Sequence, residues 1–584
     1  MRPSSVLSSC FASLALCACK PTITPTEPAK PLAKPSEPVA AVATEPEPEP
    51  EPPAPVIYGH FRVSAPDRLI EQVREQLLPP AQRLVLHESM LRPMLGSMLG
   101  SRSGVADHID LSRPMGCVVA SPKRYDRPLA CVVGYQGGLD RLVEDLGAEG
   151  YVSGGDDYAA YRIEGQPLYF NTMGEHVAVS FTPDLTAATR DRLQRDIIGS
   201  ADGKDLTGTA FLGVIFEDSR EQIEQFIERE VSSTPDSDAY QRAIRDAQRK
   251  QWLSYGELAS AELWLDLTPE RVGMGYRGTA RADTPTRKSY DANRDLHHDR
   301  ALLERLPAES FLLASMTFEP SSMSDDPMFG AYTQTMSALD DTGSTAALAQ
   351  LLRDNLATWR DMSTGQVAVA MLKERGTLGG VVFMYRLKPD ADVQSRLRES
   401  FERYRTLPAD TPLPFEFTLR RGAFRKGKLR GDIATMKPNA KTRAQLKDNP
   451  AWRKLTRVLG GPPALQTAYV QQGDVLYMAI APKKADRYIK RAMAASAGTR
   501  NVSGRKDAIA LLEGHDRDSM MMMADVGEII DWLVAIDLID SPPGPVGKAL
   551  DDVVISMRSG EPGQREVVFE VSQPLIDSLL NLAN

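Results

Sequence analysis

An α+β fold is expected: a tandem duplication of strand-strand-helix units, giving mainly antiparallel sheets with helices packed on one face, in two similar halves. Two observations predict it. First, Leu168 to Leu193 lies without a gap on Thr467 to Ala492 at a constant offset of 299 residues. Each stretch reads as strand, Gly-acidic turn (Gly174-Glu175, Gly473-Asp474), strand, and a helix opened by Pro183 or Pro482. Second, three further pairs keep the same order: Gly116 to Leu146 on Gly365 to Tyr404, Phe211 to Phe216 on Met520 to Ala524, and Glu262 to Arg277 on Val554 to Val571. One shared hairpin arises easily by chance, whereas four such units in one order do not.

Helix patterns inside the units agree. Val393, Leu397, Phe401 and Tyr404 make one apolar face after an acidic cap at Asp390. Ile223, Phe226, Ile227 and Val231 do the same after Ser219, with Gln222 at the capping-box position. The halves, 57–290 and 291–584, are expected to pack as a pseudo-dimer around a cleft or groove. Matching units are offset by 249 residues before Tyr404 and by 299 after Thr467, so the second half carries an insertion near 405–466.

Ahead of the first half lies a different kind of sequence. Arg2 and an apolar run from Val6 to Ala18 have the length of a signal peptide, too short for a permanent membrane span. Its end, Leu16-Cys17-Ala18-Cys19, resembles the lipobox of bacterial lipoproteins. The resemblance covers residues 1–19 only, and Cys17 departs from the small or β-branched residue usual there. It implies removal of residues 1–18, acylation of Cys19 and anchorage in a membrane; Lys20 after the cysteine implies sorting to the outer membrane. Pro21 to Val56 contains twelve prolines and a Glu-Pro run from Glu45 to Pro52, the composition of an extended tether with a reach of about 110 Å. The same segment could instead be a ligand for a partner's groove.

Hydrophobic content of 42% with 25% charged residues is that of a globular protein. A formal charge of −9 argues against a polyanion-binding surface over the whole molecule. Positive charge is local. From Arg420 to Arg457 there are thirteen Lys or Arg against Asp432 and Asp448, headed by Arg420, Arg421, Arg425, Lys426, Lys428 and Arg430. This patch suits an anionic envelope component or an acidic partner protein, or else is a solvated hairpin. Nucleic acid is not expected, since aromatic stacking residues are few and the chain reads as exported.

Cys117 and Cys131 flank a short turn nearly symmetrically, as a disulfide or as two buried thiols. Gly273-Met-Gly275-Tyr-Arg-Gly278 has the letters of a dinucleotide loop but alternates like a strand, with no helix pattern after it. His297-His298-Asp299 reads as a solvated connector, Ser503-Gly-Arg-Lys506 as a chance match, and the doublets Asp156-Asp157, Asp325-Asp326, Asp340-Asp341 and Asp551-Asp552 as turns. No cofactor and no metal site is expected. Met90, Met94 and Met98, each followed by Leu, and the run Met520 to Met523 suit core packing or an apolar-ligand surface. The sequence favours a non-enzymatic, lipid-anchored envelope protein that binds an envelope component or partner. The alternatives are a carrier of lipid or another apolar ligand in a groove between the halves, and a hydrolase assembled from distant residues.

Overall fold

The computed structural model describes residues 55–584 apart from 80–81, 84–102, 156–157, 233–238, 323–342, 375–376, 408–414, 448, 450–452, 454–455, 457–463, 499, 536–538, 540–545 and 584. The leader, Cys19, nearly all of the tether, the Met90 to Leu99 repeats and the doublets at 156, 325 and 340 lie outside the described residues. So do Lys454 and Arg457 of the basic segment.

Helix and strand are mixed, and the strands form a large antiparallel sheet. In chain order the first ten are β1 Ile57–Val63, β2 Met115–Ala120, β3 Leu129–Gly134, β4 Gly150–Gly155, β5 Tyr158–Ile163, β6 Gln166–Met173, β7 His176–Ser180, β8 Leu206–Ala210, β9 Leu258–Leu267 and β10 Arg271–Ala280. The next ten are β11 Leu312–Thr317, β12 Ser363–Glu374, β13 Thr377–Leu387, β14 Phe415–Lys426, β15 Leu429–Pro438, β16 Leu465–Gln472, β17 Val475–Ala481, β18 Met520–Ala524, β19 Val553–Arg558 and β20 Gln564–Ser572. They pair in the order β4-β5-β6-β7-β3-β2-β1-β8-β9-β10-β20-β19-β18-β11-β12-β13-β17-β16-β15-β14. Read outward from the β10–β20 pair, both series pass through the same positions, β9 with β19, β8 with β18, β1 with β11, and so on to the edges β4 and β14.

This order changes several expectations. The halves join through a ladder from Arg271–Ser572 to Thr279–Gln564 rather than facing one another across a cleft. The expected boundary at 290/291 falls inside the helix Pro285–Ala292. The basic segment forms β14 and β15, which stand in the pairing order where β4 and β5 stand in the first series; β14 and β15 are longer, and 439–464 follow them.

Helices cover both faces rather than one. On β3 and β7, Val132 and Ala178 pack under the helix Pro183–Arg192, whereas their neighbours Val133 and Val177 pack on the opposite side with Leu142 of the helix Gly138–Asp145. The second series repeats this: Val382 and Ala479 meet the helix Ala485–Ser496, while Tyr385 and Leu476 meet the helices Gly343–Met362 and Val393–Arg405. A strand covered on both faces reads as a continuous apolar run, as Val475–Ala481 does, and alternation is lost.

Local differences have local causes. Pro183 opens its helix, but the matching helix begins at Ala485, beyond Pro482, because Lys484 adopts a left-handed φ of 56° at its N-cap. Phe211 to Phe216 is no strand; the counterpart of β18 is β8, and Phe211 ends just before the helix Leu212–Asp218. The acidic cap of Val393–Arg405 is Asp392, which accepts from the Ser395 amide at 3.0 Å, rather than Asp390. Ser219 spends its hydroxyl on Tyr58 Oη at 2.6 Å and makes no capping box.

Gly174 and Gly473 occupy the first positions of two-residue hairpin turns, with φ of 63° and 60° and open space where a Cβ would stand. Conformation alone requires glycine there. Gly473→Ala is expected to lower stability by about 1 kcal/mol, read as the shift in the urea midpoint.

Candidate functional site

The strands around the β10–β20 junction have faces of opposite character. On the face shared with the helices Pro183–Arg192 and Ala485–Ser496, a charged ladder crosses four strands. Arg277 donates to Glu262 at 3.1 Å and to Glu566 at 3.0 Å, and Arg558 donates to Glu566 at 2.6 Å. The Trp264 indole N–H donates to Glu566 at 3.2 Å. Burial pushes the Glu566 carboxyl up, but the hydrogen bond and charge of Arg558, with the charge of Arg277, outweigh it and hold its pKa below the ordinary value. Glu262 is pushed up by burial against a smaller opposing pull from Arg277.

The other face of the same strands is apolar. Cross-strand partners align Leu206, Leu265, Met274, Phe569, Ile555, Met522, Ala314 and Val369 in one row from β8 to β12. The flanking row on one side contains Leu263, Tyr276, Val567, Met557, Met520 and Met316. That on the other contains Leu267, Val272, Val571, Val553, Ala524 and Leu312. Strand and residue spacings make this belt about 34 Å by 13 Å. Every residue of the middle row is half-buried or exposed, Met274 being 38% exposed. Residues one place along on the opposite face, Met521, Met523 and Leu313, are fully buried. The opening is unbroken only along the middle row, since Leu267, Val272, Met557 and Ala524 in the flanking rows are buried; apolar surface left open to water costs about 25 cal/mol per Å², and a contiguous stretch of it marks a binding surface.

The methionine run thus divides between a core and the belt, as strand alternation requires, and β11 and β19 bring Met316 and Met557 beside Met520. Sequence reasoning missed most of the belt because its rows come from eight strands scattered between residues 206 and 571. The one signal available was the apolar content of both alternating sets in β18.

The other sequence candidates are placed as follows. Arg420, Arg421, Arg425, Lys426, Lys428 and Arg430 lie on the β14–β15 hairpin, and β14 ends the sheet. All are exposed except the half-buried Lys426. Arg421 pairs with Glu402 at 2.9 Å, and Arg430 donates to the Gly427 and Leu429 carbonyls. Charge on a terminal strand also keeps its open backbone groups from pairing with another chain. Cys117 and Cys131 are directly opposed on β2 and β3 and joined as a disulfide. Gly273 and Gly275 lie within β10, where the Trp264 ring packs over them, so the Gly-x-Gly spacing seats an indole. Ser503 and Lys506 are both exposed, and the Ser503 hydroxyl is spent on Asn501 at 2.6 Å. Among the described residues no cluster of three His, Cys, Asp or Glu could hold a metal. Among the described residues no helix is long and apolar enough to cross a membrane.

The connector between the series is solvated only in part, with His297 exposed. His298 is buried, its Nδ1 3.0 Å from the Asp518 carbonyl, and Asp299 caps the helix Arg300–Glu304 and pairs with Arg386 at 2.7 Å. Burial lowers the pKa of His60, His176 and His298 from about 6.5. A lowered folded-state value means the stability is present above pH 6.5 and is lost as pH falls through the folded values. The urea midpoint is therefore expected to drop between pH 7.5 and 5.5, and His298→Asn to flatten that slope.

Known protein-family models, curated proteins and solved structures give no match to this chain. Fold and face together define a class: a mixed α/β protein whose large antiparallel sheet presents a half-open apolar belt.

Proposed function

We propose that the chain is a non-enzymatic, lipid-anchored protein of the bacterial cell envelope, made by tandem duplication of a ten-strand unit, that carries a lipid or similar apolar ligand on the central belt. The half-open middle row, from Leu206 to Val369, carries this reading. The shared pairing order of the two series supports the duplication. The lipobox-like Leu16 to Cys19 and the Pro-Glu tether support placement at the outer membrane, facing the periplasm or the surface. Two measurements test it. Labelled palmitate should enter the wild-type chain and not Cys19→Ser, and solvent extraction of protein purified without detergent should release a stoichiometric lipid. Incorporation into neither chain removes the anchor; extraction of nothing removes the carrier.

A second reading is favoured by the exposed Arg420, Arg425 and Lys428 at the β14 edge: attachment of an anionic envelope component or acidic partner there. It predicts salt-sensitive binding abolished by charge reversal at these positions.

A further inference from the structure

We propose that the loop between β2 and β3, together with Leu129 and Phe181, seats on an anionic lipid bilayer, giving the folded part a second, non-covalent contact with a membrane. The proposal rests on the lipid-anchor reading only for which membrane is met; the contact itself is argued from the described residues.

Three observations converge on this tip. The loop Ser121-Pro-Lys-Arg-Tyr-Asp-Arg-Pro128 exposes Lys123, Arg124 and Arg127 against one acid, Asp126. Directly beneath it, Leu129 and Phe181 stand one step beyond the last β3–β7 pair, Ala130–Ser180, each 37% exposed. The Arg127 guanidinium lies 4.6 Å from the Phe181 ring centre. An exposed aromatic and an aliphatic side chain beside Arg127, under a loop that also carries Lys123 and Arg124, match the boundary between acyl chains and anionic headgroups.

The second observation is rigidity. Ser121 Oγ donates to Asp218 at 2.6 Å, Tyr58 Oη donates to the same carboxylate at 2.5 Å, and Lys123 Nζ reaches the Asp218 carbonyl. Those hydrogen bonds, from Ser121 first and then Tyr58, hold the Asp218 carboxyl below its ordinary pKa. The loop is thereby set before any lipid arrives, and little ordering is left to oppose docking.

The third observation is where the tether joins. The Ser121 amide donates to the Val56 carbonyl at 2.8 Å, and Ile57 pairs with Ala120. Residue 56 ends the Pro/Glu stretch that leads back to Cys19. The chain therefore enters the folded part beside the exposed cations and apolar side chains, so a membrane-anchored tether keeps this tip within reach of the lipid surface.

The test uses the mature chain from residue 19 carrying Cys19→Ser, with tether and disulfide intact, in sedimentation with lipid vesicles. It is expected to bind vesicles containing phosphatidylglycerol and to bind pure phosphatidylcholine at least tenfold more weakly. Lys123→Glu/Arg124→Glu/Arg127→Glu should cut binding to the anionic vesicles at least tenfold, and Leu129→Ser/Phe181→Ser should do so with an unchanged melting curve. No sedimentation, equal binding to both vesicles, or binding unaffected by either variant overturns the proposal. Palmitate labelling of the wild type is independent of all three outcomes, so failure here leaves the anchor reading standing.

Discussion

Met522→Glu is expected to reduce the lipid recovered from purified protein at least tenfold, while Met522→Leu retains it. Met522 lies in the middle of the central row, between Ile555 and Ala314, with apolar rows on both sides. A carboxylate there needs water or a cation, and on this face its neighbours along and across the strands are aliphatic or thioether side chains. An acyl chain lying on the belt would have to desolvate that charge, which costs far more than the contacts of one side chain return. The folded state tolerates the change better, because Met522 is half-buried and a glutamate can turn to solvent. A loss of about 1–2 kcal/mol is expected in the urea midpoint. Leucine preserves volume and polarity, so it separates ligand loss from misfolding. Equal lipid in Met522→Glu and wild type would show that the ligand lies elsewhere, with the belt serving some other contact.

Gly275→Ala is expected to destabilise the fold by about 3 kcal/mol. A Cβ at this position would fall inside the Trp264 indole. The ring cannot slide freely: its N–H is bonded to Glu566, Lys204 Nζ lies 3.8 Å from its centre, and Trp264 itself is 7% exposed. Displacing it would strip a donor from Glu566, the carboxylate that Arg277 and Arg558 share across the junction of the two series. A double-mutant cycle gives the decisive readout. With Trp264→Leu the added methyl has room, so the cost of Gly275→Ala should shrink by at least half. A cost that is unchanged in that background would place the glycine requirement in the backbone rather than in the indole.

The two cases show what could be read from the linear chain. The strands β6, β7, β16 and β17 and both glycine turns were legible at Leu168–Leu193 and Thr467–Ala492, because a two-residue hairpin needs a left-handed glycine and that need is local. The strand character of Gly273 to Gly278 was legible from alternation. The packing of Trp264 on it was not, since these residues meet only by pairing of β9 with β10. The assignment of helices to one face failed at Val475–Ala481, where seven apolar residues in a row already marked a strand covered on both sides. That β4 and β14 end the sheet at its two edges was not legible, because the two strands share little sequence.

The sequence by itself determined many of the local elements, the closeness of Cys117 and Cys131 in the chain and the concentration of charge between Arg420 and Arg457. Each depends on residues close in the chain or on composition. Only the tertiary structure decided that both series form one sheet, that its centre is charged on one face and apolar on the other, and that Val56 lies against Ser121, on the loop that leads to Leu129. Those properties depend on which strand lies next to which, and register between strands as far apart as β1 and β8 or β10 and β20 is set by packing that no local pattern records.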